Sequence, residues 1–314
     1  MKPITWKTDG NELTILAERG RVLQVSVQGE QAFWVNPDWT GNWNVGGDRL
    51  WVSPEIDWNW KKTDRVDFAQ YDVPQALDSD HWTLAGTTRR SCMLRKQQTI
   101  RHQQRKRFVR YEITREIEHL TELETEGFDK ALAYQTTNRL TLLDGTPGQA
   151  MDLWGLVQLP PGGSMLIPVR QKSELRNYFA PIPKRMFTDK DGLLELIITG
   201  QTQYKVGVPP SRTVGPIAYA RPVRGGWLVV YRHVSPQFWR PYVDVPISDP
   251  RSQGDAVQVY NDGGEFGGFG ELEYHSPGIR FGKGEQVLED RILTIVGRVS
   301  KTRWPACKKR WINC

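Results

Sequence analysis

The chain has 314 residues, 38% of them hydrophobic and 25% charged, and a formal net charge of +6. That length suits one large β domain or two ordinary ones, and no apolar run approaches the roughly 18 residues of a membrane-spanning helix. Three cysteines without metal-site spacing exclude a disulfide framework. Cys92 reads as core packing, Cys307 and Cys314 as residues of a tail. The basic excess gathers in Arg95 to Arg107 and Lys301 to Arg310, with no zinc-finger, KH or RNP signature. These read as solvated hairpin and tail charges, and no nucleic-acid partner is expected. The first ten residues lack the apolar stretch of a secretory signal, so a cytoplasmic protein is expected.

In chain order, helical periodicity is nearly absent and strand patterns dominate. Leu13 to Ala17 and Val22 to Val27 predict a hairpin about Glu18 to Arg21, with Ala32 to Val35 as the next strand. A loop from Asn36 to Asp48 opens a tryptophan-rich region holding Trp34, Trp39, Trp43, Trp51, Trp58 and Trp60, and Ala69 to Asp80 is polar and turn-like. Strands are predicted at Trp82 to Ala85, Arg89 to Ile100 and Arg107 to Glu118. In the last, Val109, Tyr111, Ile113 and Ile117 alternate with charged residues, as in a half-buried antiparallel strand. Arg115 stands on the apolar face, either paired with an acid or as a cation facing a ligand. Further strands follow at Ala131 to Asp144, Leu153 to Leu159, Met165 to Val169, Leu193 to Thr199, Tyr204 to Val208, Ile217 to Ala220, Trp227 to Arg232, Ala256 to Tyr260 and Glu285 to Val299. The expectation is all-β: residues 1 to 300 as one large antiparallel architecture of two packed sheets, and residues 301 to 314 as a basic C-terminal tail.

One stretch concentrates chemistry. If Phe269 to Ser276 is a strand, Phe269, Glu271, Glu273 and His275 share one face and Leu272 and Tyr274 the other. Glycines at 263, 264, 267, 268 and 270 precede it, so either the backbone bends sharply there or a ligand approaches closely. A half-exposed strand with a solvated polar face reads the same way.

Three segments in order resemble the galactose mutarotase (aldose 1-epimerase) superfamily of β-supersandwich proteins, in its uncharacterised bacterial branch. They are Gly46-Gly-Asp-Arg-Leu-Trp-Val-Ser-Pro-Glu55, Asp152-Leu-Trp-Gly-Leu-Val-Gln-Leu-Pro-Pro-Gly-Gly163, and Glu271-Leu-Glu-Tyr-His-Ser-Pro277 followed by Gly284-Glu285. The resemblance implies Glu273 as the base that takes the proton from the anomeric hydroxyl, with a histidine on another strand protonating the ring oxygen. The family's Thr-Asn-His string is here Thr137-Asn-Arg139, which leaves His233, His81 or His275 as substitutes. Arg49, Glu55, Arg115 and Glu271 are then polar ligands of the sugar, and Trp51 and Trp154 stacking or wall residues. The implied function is binding of a mono- or oligosaccharide, with aldose 1-epimerase-like isomerisation as its catalytic form. Two other readings stand beside it: a glycoside hydrolase or lyase built on Glu271 and Glu273, and a non-catalytic module meeting a protein partner through a sheet edge. No metal is expected, because Asp48, Glu55 and Asp57 do not supply a hard-cation register. No cofactor is expected either, since the glycine-rich run 263–270 does not open a helix.

Overall fold

The computed structural model describes residues 2–312 except 40–42, 79–80, 124, 171–174, 283 and 285, without the side chains of 311 and 312. Glu285 and Cys314 therefore lie outside the described residues. Two antiparallel sheets form the molecule. The first runs Ile4–Thr8, Asn11–Leu16, Arg21–Val27, Asp48–Ser53, Ala150–Leu159, Gly270–His275, Val257–Asn261, Tyr204–Val208 and Arg176–Asn177. The second runs Phe187–Lys190, Leu193–Ile198, Gly163–Pro168, Pro216–Val223, Gly226–His233, Val287–Ser300, Lys130–Asp144, Phe108–Leu120, Ser91–Arg101 and Thr83–Thr87. The large all-β architecture read from alternation is the architecture observed. Residues 32–35 differ from expectation: the chain makes only an isolated bridge, Val35 to Gly46, as Trp34 turns in to pack on Phe269 at 4.6 Å.

Side-chain alternation divides the work of the first sheet. Leu153, Val157, Leu272 and Tyr274 point toward the second sheet and join the core, where a Cβ on Gly155 would meet Ile292 at 3.1 Å. Val109, Tyr111, Ile113 and Ile117 answer them from the strand Phe108–Leu120. Into this apolar layer Asp48 carries a charge. Its carboxylate accepts from Arg115 Nη2 at 2.9 Å, Tyr134 Oη at 2.7 Å and Arg232 Nη2 at 3.5 Å, three residues of the second sheet. Arg115 is thus not a ligand-facing cation. The register that gives it the inward face aims it between the sheets, where an acid on the facing strand neutralises it.

The basic segment after Val299 forms a helix, Trp304–Ile312, which nine residues without strong apolar periodicity did not announce. Trp304 stacks on Trp227 at 4.8 Å, Arg303 and Lys308 pair with Asp129 and Glu195, and Cys307 is buried beside Val299. Cys92 lies in the main core. Among the described residues no helix is long and apolar enough to cross a membrane.

Candidate functional site

The register of the first sheet assembles the site on the face turned away from the second sheet. Side chains directly opposite one another in antiparallel strands share a face. Trp51, Trp154 and His275 form one such row; Arg49, Leu156, Glu273 and Gln258 form the next; Gln158, Glu271, Tyr260 and Lys205 form the third. All six residues of Gly270–His275 are buried, so the polar face of this strand is not solvated. The glycine run before it solves a backbone problem. Asp262 Oδ2 accepts the N–H groups of Gly264, Phe266 and Gly268 at 3.1, 3.1 and 2.8 Å, and the chain coils about this carboxylate. Gly267 has φ +125°, and a Cβ there would strike Trp34 at 2.5 Å. The coil delivers Phe266 to the site, against Trp43 at 5.8 Å.

The result is a narrow cleft. Its floor holds two buried ion pairs, Arg49 Nη2 to Glu271 Oε1 at 2.8 Å and Lys205 Nζ to Glu55 Oε2 at 2.8 Å. Lys205 also reaches Glu273 Oε2 at 3.3 Å. The mouth is aromatic: half-buried Trp43, Phe68, Tyr71, Phe179 and Phe266 stand on loops, above Tyr260 and Phe269. Phe68 and Phe179 meet edge to face at 5.0 Å, and Phe179 meets Tyr260 at 6.1 Å. Burial pushes the Glu271 carboxyl up to about 7; Arg49 opposes this, and the neighbouring Glu273 adds to it. Glu55 is raised too, by burial against the pull of Lys205. Burial works against the Lys205 ammonium, but Glu273 and Glu55 outweigh it and hold the group protonated.

Arg49, Trp51, Glu55, Trp154 and Glu271, expected at the site from sequence, all line the cleft. Glu273 is completely buried beneath it, its Oε2 accepting from Trp154 Nε1 at 2.7 Å, with Oε1 lacking a partner. The expectation that Glu273 meets a sugar directly is corrected by this lid: the carboxyl group that reaches the cleft from this strand is Glu271. His275 is no cleft residue either. Its ring stacks on Trp154 at 5.4 Å, and its Nδ1 faces Asp152 at 3.6 Å; burial lowers the imidazole, but Asp152 outweighs it and raises the group above its ordinary value. His233 ends Gly226–His233, an interior strand of the second sheet, and is exposed and not among the residues lining the cleft. The string Thr137-Asn-Arg139 also belongs to the second sheet, with Asn138 bonded to Asp290 at 2.8 Å. Among the described residues no histidine lines the cleft. Nor do Trp51 and Trp154 offer open ring faces. The Arg49 guanidinium lies 4.0 Å from the Trp51 ring centre, Lys205 Nζ lies 4.6 Å from that of Trp154, and the two indoles are 2% and 1% exposed.

Sequence reasoning missed Lys205, Tyr71, Phe68, Phe179 and Phe266. Lys205 alone left a signal, as a lysine inside the otherwise apolar strand Tyr204–Val208, where a buried charge requires a buried partner.

The linked pairs predict a pH dependence. A carboxyl group whose folded pKa is raised from 4.5 to about 7 costs stability as pH climbs through that window, and the cost is complete above it. Relative to Glu271→Gln, the wild type should therefore lose on the order of 1–3 kcal/mol between pH 4.5 and 8. Urea denaturation of both proteins across that range checks this; a constant difference contradicts it.

A two-sheet β architecture with a polar and aromatic cleft on one sheet defines a galactose mutarotase-like fold. It is shared by a galactose mutarotase-like protein from Lactobacillus casei ATCC 334, with 11% identity, TM-score 0.55, and coverage of 94% of this chain and 100% of that one. A protein of Escherichia coli K12 proposed to be an aldose 1-epimerase aligns at 11% identity and TM-score 0.58, covering 95% of this chain and 99% of that one. By sequence, the chain belongs to the family of unknown function DUF6786, whose model matches residues 9–298. No curated protein matches it.

Proposed function

We propose that this cleft binds a carbohydrate, a monosaccharide or the end of an oligosaccharide. The observation that carries the reading is the pairing of an aromatic mouth with a floor of buried charged donors and acceptors, Arg49 with Glu271 and Lys205 with Glu55. Small-molecule sites are mostly apolar concavities with a few fixed polar groups, and sugars present apolar C–H faces to aromatic rings while their hydroxyls take up such groups. Saturation-transfer NMR and calorimetry against a panel of mono- and oligosaccharides test it. Trp43→Ala and Glu271→Gln should each weaken the binding sugar about tenfold or more, the loss of a ring contact or a charged hydrogen bond. A folded protein silent across the panel would overturn the proposal.

The fold likeness also supports an aldose 1-epimerase form of this reading, with the base moved from Glu273 to Glu271. Opening the ring requires a proton taken from O1 and one delivered to O5. Without a cleft histidine, delivery falls to Tyr71 or Lys205. Burial and Glu55 push the Tyr71 phenol up, and Lys205 is held protonated, so both are weak acids. Binding without catalysis is therefore the stronger form, and NMR exchange between anomers separates the two. The hydrolase alternative loses its second carboxyl: Glu271 and Glu273 point the same way, and Trp154 and Lys205 cap Glu273.

A further inference from the structure

We infer that the ligand of this cleft is a hydroxylated cation, an amino sugar or a closely similar amine. The inference rests on the carbohydrate-binding reading and narrows its ligand class. Three carboxylates meet at the floor, Glu55, Glu271 and Glu273, all buried. Two cations answer them, Arg49 and Lys205, and Arg49 is shared with Asp78, itself paired with Arg21, so one negative charge has no counter-ion in the network. A fourth acid deepens the imbalance: Asp244, fully buried, takes the Glu55 N–H at 2.6 Å and the Gln258 amide at 2.7 Å. Glu273 Oε1 is a buried acceptor with no donor. The raised carboxyl of Glu271 agrees with this surplus, since Glu273 contributes to it.

The walls favour the same ligand. Aromatic faces attract cations through their quadrupoles, most strongly where water is excluded. This protein already uses the property, placing Arg49 against Trp51 and Trp43 at 4.0 and 5.6 Å and Lys205 against Trp154 at 4.6 Å. Phe68, Tyr71, Phe179 and Tyr260 form a second aromatic wall, joined ring to ring with the Tyr71 phenol against Glu55, and among the described residues no cation–π contact covers them. An ammonium entering between that wall and the carboxylates of Glu55 and Glu271 gains both attractions and balances the floor. The hydroxyls of the same molecule are left to Arg49 and Tyr71. A neutral sugar gains only the second set, and an acidic sugar meets a surplus of its own charge.

Calorimetry on the full chain tests this with matched ligands in the gluco, galacto and manno series: the free amine, its N-acetyl derivative and the parent sugar. At least one amine should bind ten times more tightly than its two neutral counterparts. Raising the salt concentration should erode that preference, as should Glu55→Gln where the variant folds; the wild-type comparison stands without it. A neutral sugar bound as tightly as its amine overturns the inference and leaves carbohydrate binding in place. Silence from every member, amine and neutral, overturns both.

Discussion

Replacing Asp48 with alanine is expected to lower the free energy of unfolding by about 3–5 kcal/mol, the cost of breaking a buried ion pair from one side. Asp48, Arg115 and Arg232 are 0%, 1% and 0% exposed, so the change takes from two buried guanidiniums the carboxylate they share, leaving them backbone carbonyls and the more distant Asp290, and deprives the Tyr134 hydroxyl of its acceptor. Burial alone would raise the Asp48 carboxyl; Arg232 and Arg115 outweigh it and hold the group below its ordinary value of 3.8. A depressed carboxyl group contributes stability that is present above the unfolded pKa and lost as pH falls through the folded one. The difference between wild type and Asp48→Ala should therefore be full at pH 7 and shrink only under strong acid. Urea denaturation at pH 7 and pH 3 reads both quantities. A loss below 1 kcal/mol at pH 7 would mean that the two arginines find other partners.

Lys205→Met should be as costly, about 3–5 kcal/mol, because it leaves Glu55 and Glu273 buried without their shared cation. Here the sign with pH reverses. Unpaired buried carboxylates have folded pKa values above the unfolded ones, so the variant loses stability as pH rises. Its thermal midpoint should lie nearer to wild type at pH 5 than at pH 8, and a gap that widens toward low pH would contradict this. Sugar binding should fail together with stability, since the methionine disorders the cleft floor it was meant to report on. Trp43→Ala, at the half-buried mouth, separates the two effects.

Much of the frame was legible because one alternation had one solution. Val109, Tyr111, Ile113 and Ile117 could be buried together only in a strand, and the same reading put Arg115 on the inward face. The row Glu271, Glu273, His275 was likewise set by the two-residue period. What that period does not carry is depth. Glu271 reaches the cleft, Glu273 is roofed by Trp154, and His275 is stacked behind the same indole, a gradation created by neighbouring strands. The ion pair of Lys205 with Glu55 joins residues 150 positions apart, and no local pattern announces such a partner. Tyr71 lies in the stretch Ala69 to Asp80, whose composition reads as polar and turn-like, and Phe68 just before it, yet the 3-10 turn Phe68–Gln70 brings both rings over the cleft. Trp51 and Trp154, expected as stacking or wall residues, line the cleft as wall, with their ring faces held by the protein's own cations.

The most direct measurement of the central claim is a crystal structure after soaking with D-glucosamine and, separately, with the tightest neutral sugar of the panel. A pyranose ring resting between Phe179 and Trp43, with polar groups in hydrogen-bond reach of Arg49 and Glu271, is the predicted result. A sugar bound at another surface, with the cleft holding only water, would contradict it.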